Sequence, residues 1–271
     1  MPRALVIRAA GTNCDREMVR AFELAGAETD LLHLEALCKT PDAIDQYDLI
    51  GFPGGFSYGD DVASGRIFAM RARRSLYPAL KRAAERGCPI IGVCNGFQVM
   101  AQVGLLPGPP PGAPWPDEPP TQTIALTHNA GARFIDDWVR VEVEPDSVCI
   151  WTRDLVSSDA EYDLLRLPLA SGEGRLVPAS DSLLDELKSR GQIALRYADN
   201  VNGSAGAVAG VCDATGRIFA LMPHPDRYLD MNRHPYFTSL DDAHRAVIAP
   251  GLRMFMNAVE AVSEAASPSG A

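Results

Sequence analysis

Over its first hundred residues the chain alternates short apolar runs with stretches whose apolar positions recur at helical spacing. RALVIRA, at 3–9, is the first apolar run. In the CDREMVRAFELAGAE that follows, Met18, Val19, Phe22 and Leu24 fall near one stripe of a helix, and Gly26 stands where such a helix ends. TDLLHL (29–34) and YDLIGFPGG (47–55) predict a second and a third strand, the third entering a glycine-rich turn. A helix is predicted over about 65–86. GCPIIGVC (87–94) is a fourth strand, apolar throughout as expected when both faces are covered. This alternation predicts an α/β protein with a mostly parallel, doubly wound sheet.

The pattern breaks at PGPPPGAPWPDEPP (107–120), where proline removes backbone donors and fixes φ, so the segment reads as a surface loop. Beyond it, RFIDDWVRVEV (133–143) and SVCIWT (147–152) predict antiparallel strands. SDSLLDELKSRG (180–191) predicts a helix capped by Ser180 or Asp181. QIALRYAD (192–199), AVAGVCD (207–213) and RIFALMPHP (217–225) predict three more strands joined by glycine-containing turns. Residues 240–262 read as a closing amphipathic helix and 263–271 as a frayed tail. The expected organisation is one domain over 1–271, with the loop at 107–120 and a helical extension from about 229 to 271.

A formal charge of −10 argues against a nucleic-acid surface, which needs clustered Lys and Arg. The one basic cluster, RARRSLYPALKR (71–82), has helical spacing and reads as a solvated helix face. No apolar run is long enough to cross a bilayer, and the first residues are too short in apolar length for a secretory signal. Six cysteines, at 14, 38, 88, 94, 149 and 212, include no C-x-x-C pair. That scatter fits a reducing cytoplasm, with neither a disulfide framework nor a metal site expected.

Cys94 stands apart from the other five. GVCNG (92–96) is G-x-C-x-G, the cysteine form of a nucleophile elbow, in which a sharp strand-to-helix turn leaves room only for glycine at 92 and 96. The thiol would then project at the carboxyl end of the sheet beside a helix N-terminus, which favours thiolate. A buried packing cysteine between two turn glycines reads the same locally. A nucleophilic thiol also needs a base oriented by a third group. Of the histidines at 33, 128, 224, 234 and 244, His224 lies just past an apolar strand in MPHPDR, with Asp226 two residues on to fix its tautomer. Alone, this is equally a surface His-Pro-Asp turn. The third element is GFPGGFSYGDD (51–61), where bare backbone amides at Gly54-Gly55, with that of Asn95, are placed to hold an oxyanion. An ordinary glycine turn fits too, while the phosphate-loop and dinucleotide patterns are absent.

Together these pieces resemble class I glutamine amidotransferases. GTNCDRE (11–17), PGGFSYGD (53–60), GVCNGFQ (92–98), NAGARFIDDWV (129–139), SGEGR (171–175) and the block at 200–227 resemble the branch that forms glutaminase subunits of phosphoribosylformylglycinamidine synthase, in de novo purine synthesis. The resemblance covers most of 3–228. It implies a flavodoxin-like amidotransferase fold with an antiparallel extension to the parallel sheet. It implies glutamine as substrate, a Cys94–His224–Asp226 triad, an oxyanion hole from the amides of Gly55 and Asn95, and substrate contacts from Gln98, Gly54 and Phe56. It also implies no cofactor in this chain, with ATP and Mg used by a larger synthetase subunit that receives the ammonia, and a small third subunit as a further partner.

Two positions depart from the family pattern. The terminal acid is usually Glu and is Asp226 here, and Ser171 stands where the family has His. The proline-rich loop and the residues after 228 suggest no counterpart in compact bacterial subunits. Three other readings share the elbow: an amidotransferase serving another synthetase, a DJ-1/PfpI-like redox or chaperone protein, which would not need the His224–Asp226 pair, and a catalytically weakened regulatory subunit, suggested by the changes at 171 and 226.

Overall fold

The structure, a computed structural model, describes residues 1–155 and 163–266. The predicted alternation is present. β1 (Arg3–Arg8) leads through α1 (Asp15–Leu24) to β2 (Glu28–His33), then α2 (Leu34–Lys39) and β3 (Leu49–Phe52). Helix α1 ends as its sequence requires. Gly26 takes φ +98°, Ala27 donates its amide to the carbonyl of Phe22, and Gly26 donates to Glu23. The predicted 65–86 helix is two: α3 (Arg66–Ser75) and α4 (Tyr77–Glu85). Pro78 has no amide to continue α3, but it is at home in the first turn of α4.

β4 (Ile90–Val93) and β3 are buried at all four positions, as their composition demands. α5 (Asn95–Val103) follows, and then the proline-rich loop. β5 (Ile124–Thr127) pairs with β8 (Arg175–Pro178) as a separate two-stranded ribbon. β6 (Ile135–Val143) pairs antiparallel with β7 (Arg166–Ser171). After α6 (Asp181–Ser189), capped by Ser180 rather than Asp181, come β9 (Ile193–Tyr197), β10 (Val208–Cys212) and β11 (Ile218–Leu221). The main sheet runs β2-β1-β3-β4-β11-β10-β9-β6-β7. The first five strands are parallel, and the last four extend them antiparallel.

Neighbouring residues of β3 show how both faces are covered. A side chain at Gly51 would strike Met18 and Phe22 of α1, while Phe52 points the other way, onto Phe68 of α3 with ring centroids 6.0 Å apart. α8 (Pro250–Ala266) joins α1 on its face, with Phe22 and Phe255 edge to face at 5.1 Å.

Three expectations need correction. SVCIWT is not a strand. Residues 150–152 form a 3-10 turn, its Trp151 indole donating to the Arg217 carbonyl and its own carbonyl capped by Asn257 of α8. The antiparallel part holds a strand that was not expected, β7 at 166–171, whose Pro168 is tolerated because β7 is the sheet edge. The single 240–262 helix is also absent. A short α7 (Asp242–Arg245), capped by Asp241, precedes α8, which begins at Pro250 and runs past the expected tail boundary, while 229–241 forms irregular 3-10 turns. Residues 267–271 of that tail lie outside the described residues. No helix among the described residues is long and apolar enough to cross a membrane.

Candidate active site

Between β4 and α5, Cys94 takes φ +52° and ψ −107°, a left-handed region uncommon for a residue with a side chain. The glycines on either side explain why the turn can form. A Cβ on Gly96 would lie 1.9 Å from the Phe52 carbonyl oxygen, and one on Gly92 2.4 Å from Met100 Sδ. Cys94 donates its own amide to the Leu221 carbonyl at 2.9 Å, tying the elbow to the end of β11.

β11 is the strand that delivers the histidine. His224 donates its amide to the carbonyl of Pro168 at 2.6 Å, so the sheet-edge strand β7 fixes its backbone. A 3-10 turn over Pro225–Arg227 swings Asp226 back, and its Oδ1 lies 3.3 Å from His224 Nδ1. Both residues are buried, and the Cys94 thiol donates to the Ala170 carbonyl at 3.6 Å. Burial works against a charged imidazole, but the Asp226 charge and Cys94 outweigh it and hold His224 up to about 9.

The three elements meet at Gly54. A Cβ there would lie 2.6 Å from His224 Cε1, 3.4 Å from Cys94 Cβ and 3.4 Å from Cys14 Sγ. Gly54 therefore stands behind the catalytic groups, where its bare α-carbon makes room for them. Gly55, at φ +131°, is held against Asn13 and has its side-chain position filled. Among the described residues the Gly55 and Asn95 amides have no hydrogen-bond partner. The Phe56 amide is bonded to the Gly11 carbonyl at 3.0 Å. The Asn95 amide is free because it opens a helix.

A cavity of about 230 Å³ lies over these groups, with Cys94, His224, Gly55, Gln98 and the half-exposed Phe56 in its wall. Three larger hollows, of about 510, 820 and 380 Å³, contain neither Cys94 nor His224. Asn95 and Asp226 stand behind the cavity surface. Gln98 is buried with its amide engaged at both ends, accepting from Asn95 Nδ2 at 2.9 Å and donating to the Glu173 carbonyl at 2.6 Å. Ser171 lines the cavity, and its carbonyl accepts from Asn129.

The other histidines have different roles. His33 caps α2, His234 packs tilted against Tyr228 and edge to face with Tyr236, and His128 is exposed beside Glu173. Sequence reasoning missed Cys14, whose Sγ accepts from Arg227 at 3.0 Å in the cavity wall and whose thiol is pushed well up by burial and by Asp226. It also missed the carboxylates of Asp60, Asp136 and Glu173 in that wall. All lie within the motif strings quoted above, but nothing in spacing alone turns them toward Cys94. Among the described residues no group of three or more His, Cys, Asp or Glu is arranged to hold a metal.

A family model described as a CobB/CobQ-like glutamine amidotransferase domain matches residues 1–262. The match includes the proline-rich loop and most of the chain after 228, segments for which sequence reading had offered no counterpart. A Dehalococcoides mccartyi protein named phosphoribosylformylglycinamidine synthase subunit PurQ is 38% identical over 265 residues, covering 95% of this chain and 96% of its own. A Mycobacterium tuberculosis protein of the same name is 38% identical over 260 residues, covering 95% and 96%. The solved structure of PurLQS from Thermotoga maritima superposes with a TM-score of 0.69 at 31% identity, over 96% of this chain and 99% of that one. A Thermotoga maritima glutamine amidotransferase shares the fold, with a TM-score of 0.52 at 13% identity over 97% and 98%.

Proposed function

The chain belongs to the glutamine amidotransferases, in the branch of the phosphoribosylformylglycinamidine synthase PurQ subunits, and from that premise we propose that Cys94, His224 and Asp226 hydrolyse glutamine in the cavity above Gly54. The Cys94 thiolate attacks the side-chain amide carbon, and the oxygen of the tetrahedral intermediate takes hydrogen bonds from the Gly55 and Asn95 amides. His224, charged and held by Asp226, gives its proton to the departing nitrogen as the C–N bond breaks, leaving a glutamyl thioester. It then accepts a proton from water, which attacks the thioester and releases glutamate and the free thiol. The net reaction is glutamine and water to glutamate and ammonia. Loss of one oxyanion donor costs on the order of 100- to 1000-fold in rate in such sites.

The observation that carries this reading is the convergence of Cys94 Cβ and His224 Cε1 on the side-chain position that Gly54 leaves empty, with Asp226 3.3 Å behind the imidazole. In the same reading Gln98 and Phe56 line the substrate path, Gln98 acting through its bonds to Asn95 and the Glu173 backbone, while Gly54, the third expected contact, stands behind the cavity wall. The ammonia passes to a larger synthetase subunit, which uses ATP and Mg to convert formylglycinamide ribonucleotide to formylglycinamidine ribonucleotide in the cytoplasm. A subunit complex is the form in which the Thermotoga maritima relative was solved, which supports such docking.

The test compares wild type with Cys94→Ala, each alone and with the cognate synthetase subunit. Glutamine-dependent product should vanish in Cys94→Ala while added ammonium still supports the synthetase. Glutamine-dependent product from Cys94→Ala, or none from the wild-type complex, refutes the assignment.

A further inference from the structure

The basic run at 71–82 reads in sequence as a solvated helix face, and the structure divides it. Arg71 pairs with Glu35, Arg73 is engaged by backbone carbonyls, Lys81 reaches Asp117, and Arg82 reaches Asp42 and Asp45. Arg74 remains exposed, as does Arg66 two turns earlier on α3. Among the described residues neither guanidinium has a hydrogen-bond or ion-pair partner. Met70, 61% exposed, lies midway between them, so the three form one outward stripe at four-residue spacing. The stripe is one wall of the hollow of about 820 Å³, and Pro119, Thr121 and Gln122, at the close of the proline-rich loop, line the other. In that lining Arg66, Arg73 and Arg74 face a single carboxylate, Glu118, although the chain as a whole carries a formal charge of −10. The walls are fixed to each other, because Arg73 donates to the carbonyls of Pro119 and Pro120.

The position of this groove says what covers it. Gln102 lines it and donates to the carbonyl of Ser64 at 2.9 Å, while Ser64 itself lines the active-site cavity and Arg66 follows two residues later. The groove therefore begins where the cavity ends. A synthetase subunit that takes up ammonia at the cavity also reaches this edge, and there it meets a cationic surface with one apolar residue at its centre. Two guanidiniums without partners bind carboxylates through charge-assisted, bidentate hydrogen bonds. An exposed thioether between them is covered by an apolar side chain. The complementary surface is an extended acidic segment with an apolar residue among its carboxylates.

We propose that the groove between α3 and the proline-rich loop takes an acidic segment of the synthetase subunit, Arg66 and Arg74 holding its carboxylates and Met70 an apolar side chain between them. The proposal rests on the glutaminase-subunit reading above and adds a surface by which the partner is recognised.

The experiment measures binding of the cognate synthetase subunit to the full chain carrying Cys94→Ala, so that turnover plays no part in the readout. Arg66→Glu and Arg74→Glu should each raise Kd by about ten- to a hundredfold at low salt, mostly through slower association, and the loss should shrink as ionic strength rises. Met70→Ser should raise Kd by about three- to tenfold at every salt concentration. Lys188→Glu, at an exposed position on α6, controls for net charge and should leave Kd unchanged. In the assembled complex, Met70 replaced by the photo-crosslinker p-benzoylphenylalanine should join to a synthetase peptide rich in Asp and Glu. Equal effects of Arg74→Glu and Lys188→Glu, or no effect of the three groove substitutions, would overturn the proposal. So would a cross-link to a second copy of this chain, to the small third subunit, or to a peptide without acidic residues. Binding that depends on Arg66 and Arg74 supports the surface even if the wild-type complex hydrolyses no glutamine. A glutamine-dependent complex indifferent to both arginines sinks it while the triad stands.

Discussion

Replacing Gly54 with alanine places a methyl group 2.6 Å from His224 Cε1. Non-bonded carbons settle at about 3.5–4.0 Å, so the imidazole must yield by about 1 Å. It has little freedom to do so. Its backbone amide is held by Pro168 at 2.6 Å, its Nδ1 lies 3.3 Å from Asp226, and the residue is 1% exposed. Gly54 does not have a positive φ, so the whole effect is steric and directed at the catalytic base. A displacement of that size in a reacting group costs on the order of 100-fold in rate. The overpacking itself should cost about 1–3 kcal/mol of stability. Gly26→Ala is the matched control. There φ is +98° with nothing within 4 Å, so alanine should cost about 1–2 kcal/mol through the backbone alone and leave kcat at the wild-type value. The assay pairs kcat for glutamine hydrolysis with the urea midpoint of each variant. A folded Gly54→Ala enzyme within about threefold of wild-type kcat would refute the account of how His224 is positioned.

Two more outcomes follow from the same geometry. His224 is held above its ordinary value of 6.5, up to about 9, so the stability it contributes is complete below pH 6.5 and is lost as pH rises toward 9. Urea unfolding should show that decline in wild type, and Asp226→Asn, which removes the attracting charge, should flatten it; equal slopes in the two proteins would contradict the assignment. Arg73 donates to the carbonyls of Gln102, Val103, Pro119 and Pro120 at 2.8–3.3 Å, joining the end of α5 to the close of the proline-rich loop. Arg73→Ala should therefore lower stability by about 2–3 kcal/mol, read as a fall in Tm, and a change under about 0.5 kcal/mol would show those carbonyls are satisfied by solvent.

Much of the site was legible wherever a local backbone demand selects a residue type. A strand that turns directly into a helix at a side-chain-bearing residue needs glycine at 92 and 96, and contacts of 2.4 Å and 1.9 Å show why. A helix ending in the left-handed region selects Gly26, and an orphan amide selects Ser180, whose hydroxyl accepts from Leu183. Four-residue strands buried on both faces are apolar throughout, so β3 and β4 could be placed by composition. Each of these depends on atoms a few residues apart, and short-range sterics are written into neighbouring letters.

What depends on distant segments was not legible. The turn at 150–152 owes its shape to the Arg217 carbonyl and to Asn257, more than a hundred residues further on. Pro168 argues against a strand until the sheet order makes β7 an edge. Cys14 reads as one packing cysteine among several until Arg227, 213 residues away, donates to its sulfur beside the nucleophile. Asp60 and Glu173, separated by 113 positions, become a pair only because both bond to Ser64. Periodicity and turn chemistry determined which elements form and which cysteine sits in an elbow. The order of the nine strands decided which side chains share the cavity with it, because packing between remote segments is set by the whole buried surface rather than by any window of sequence.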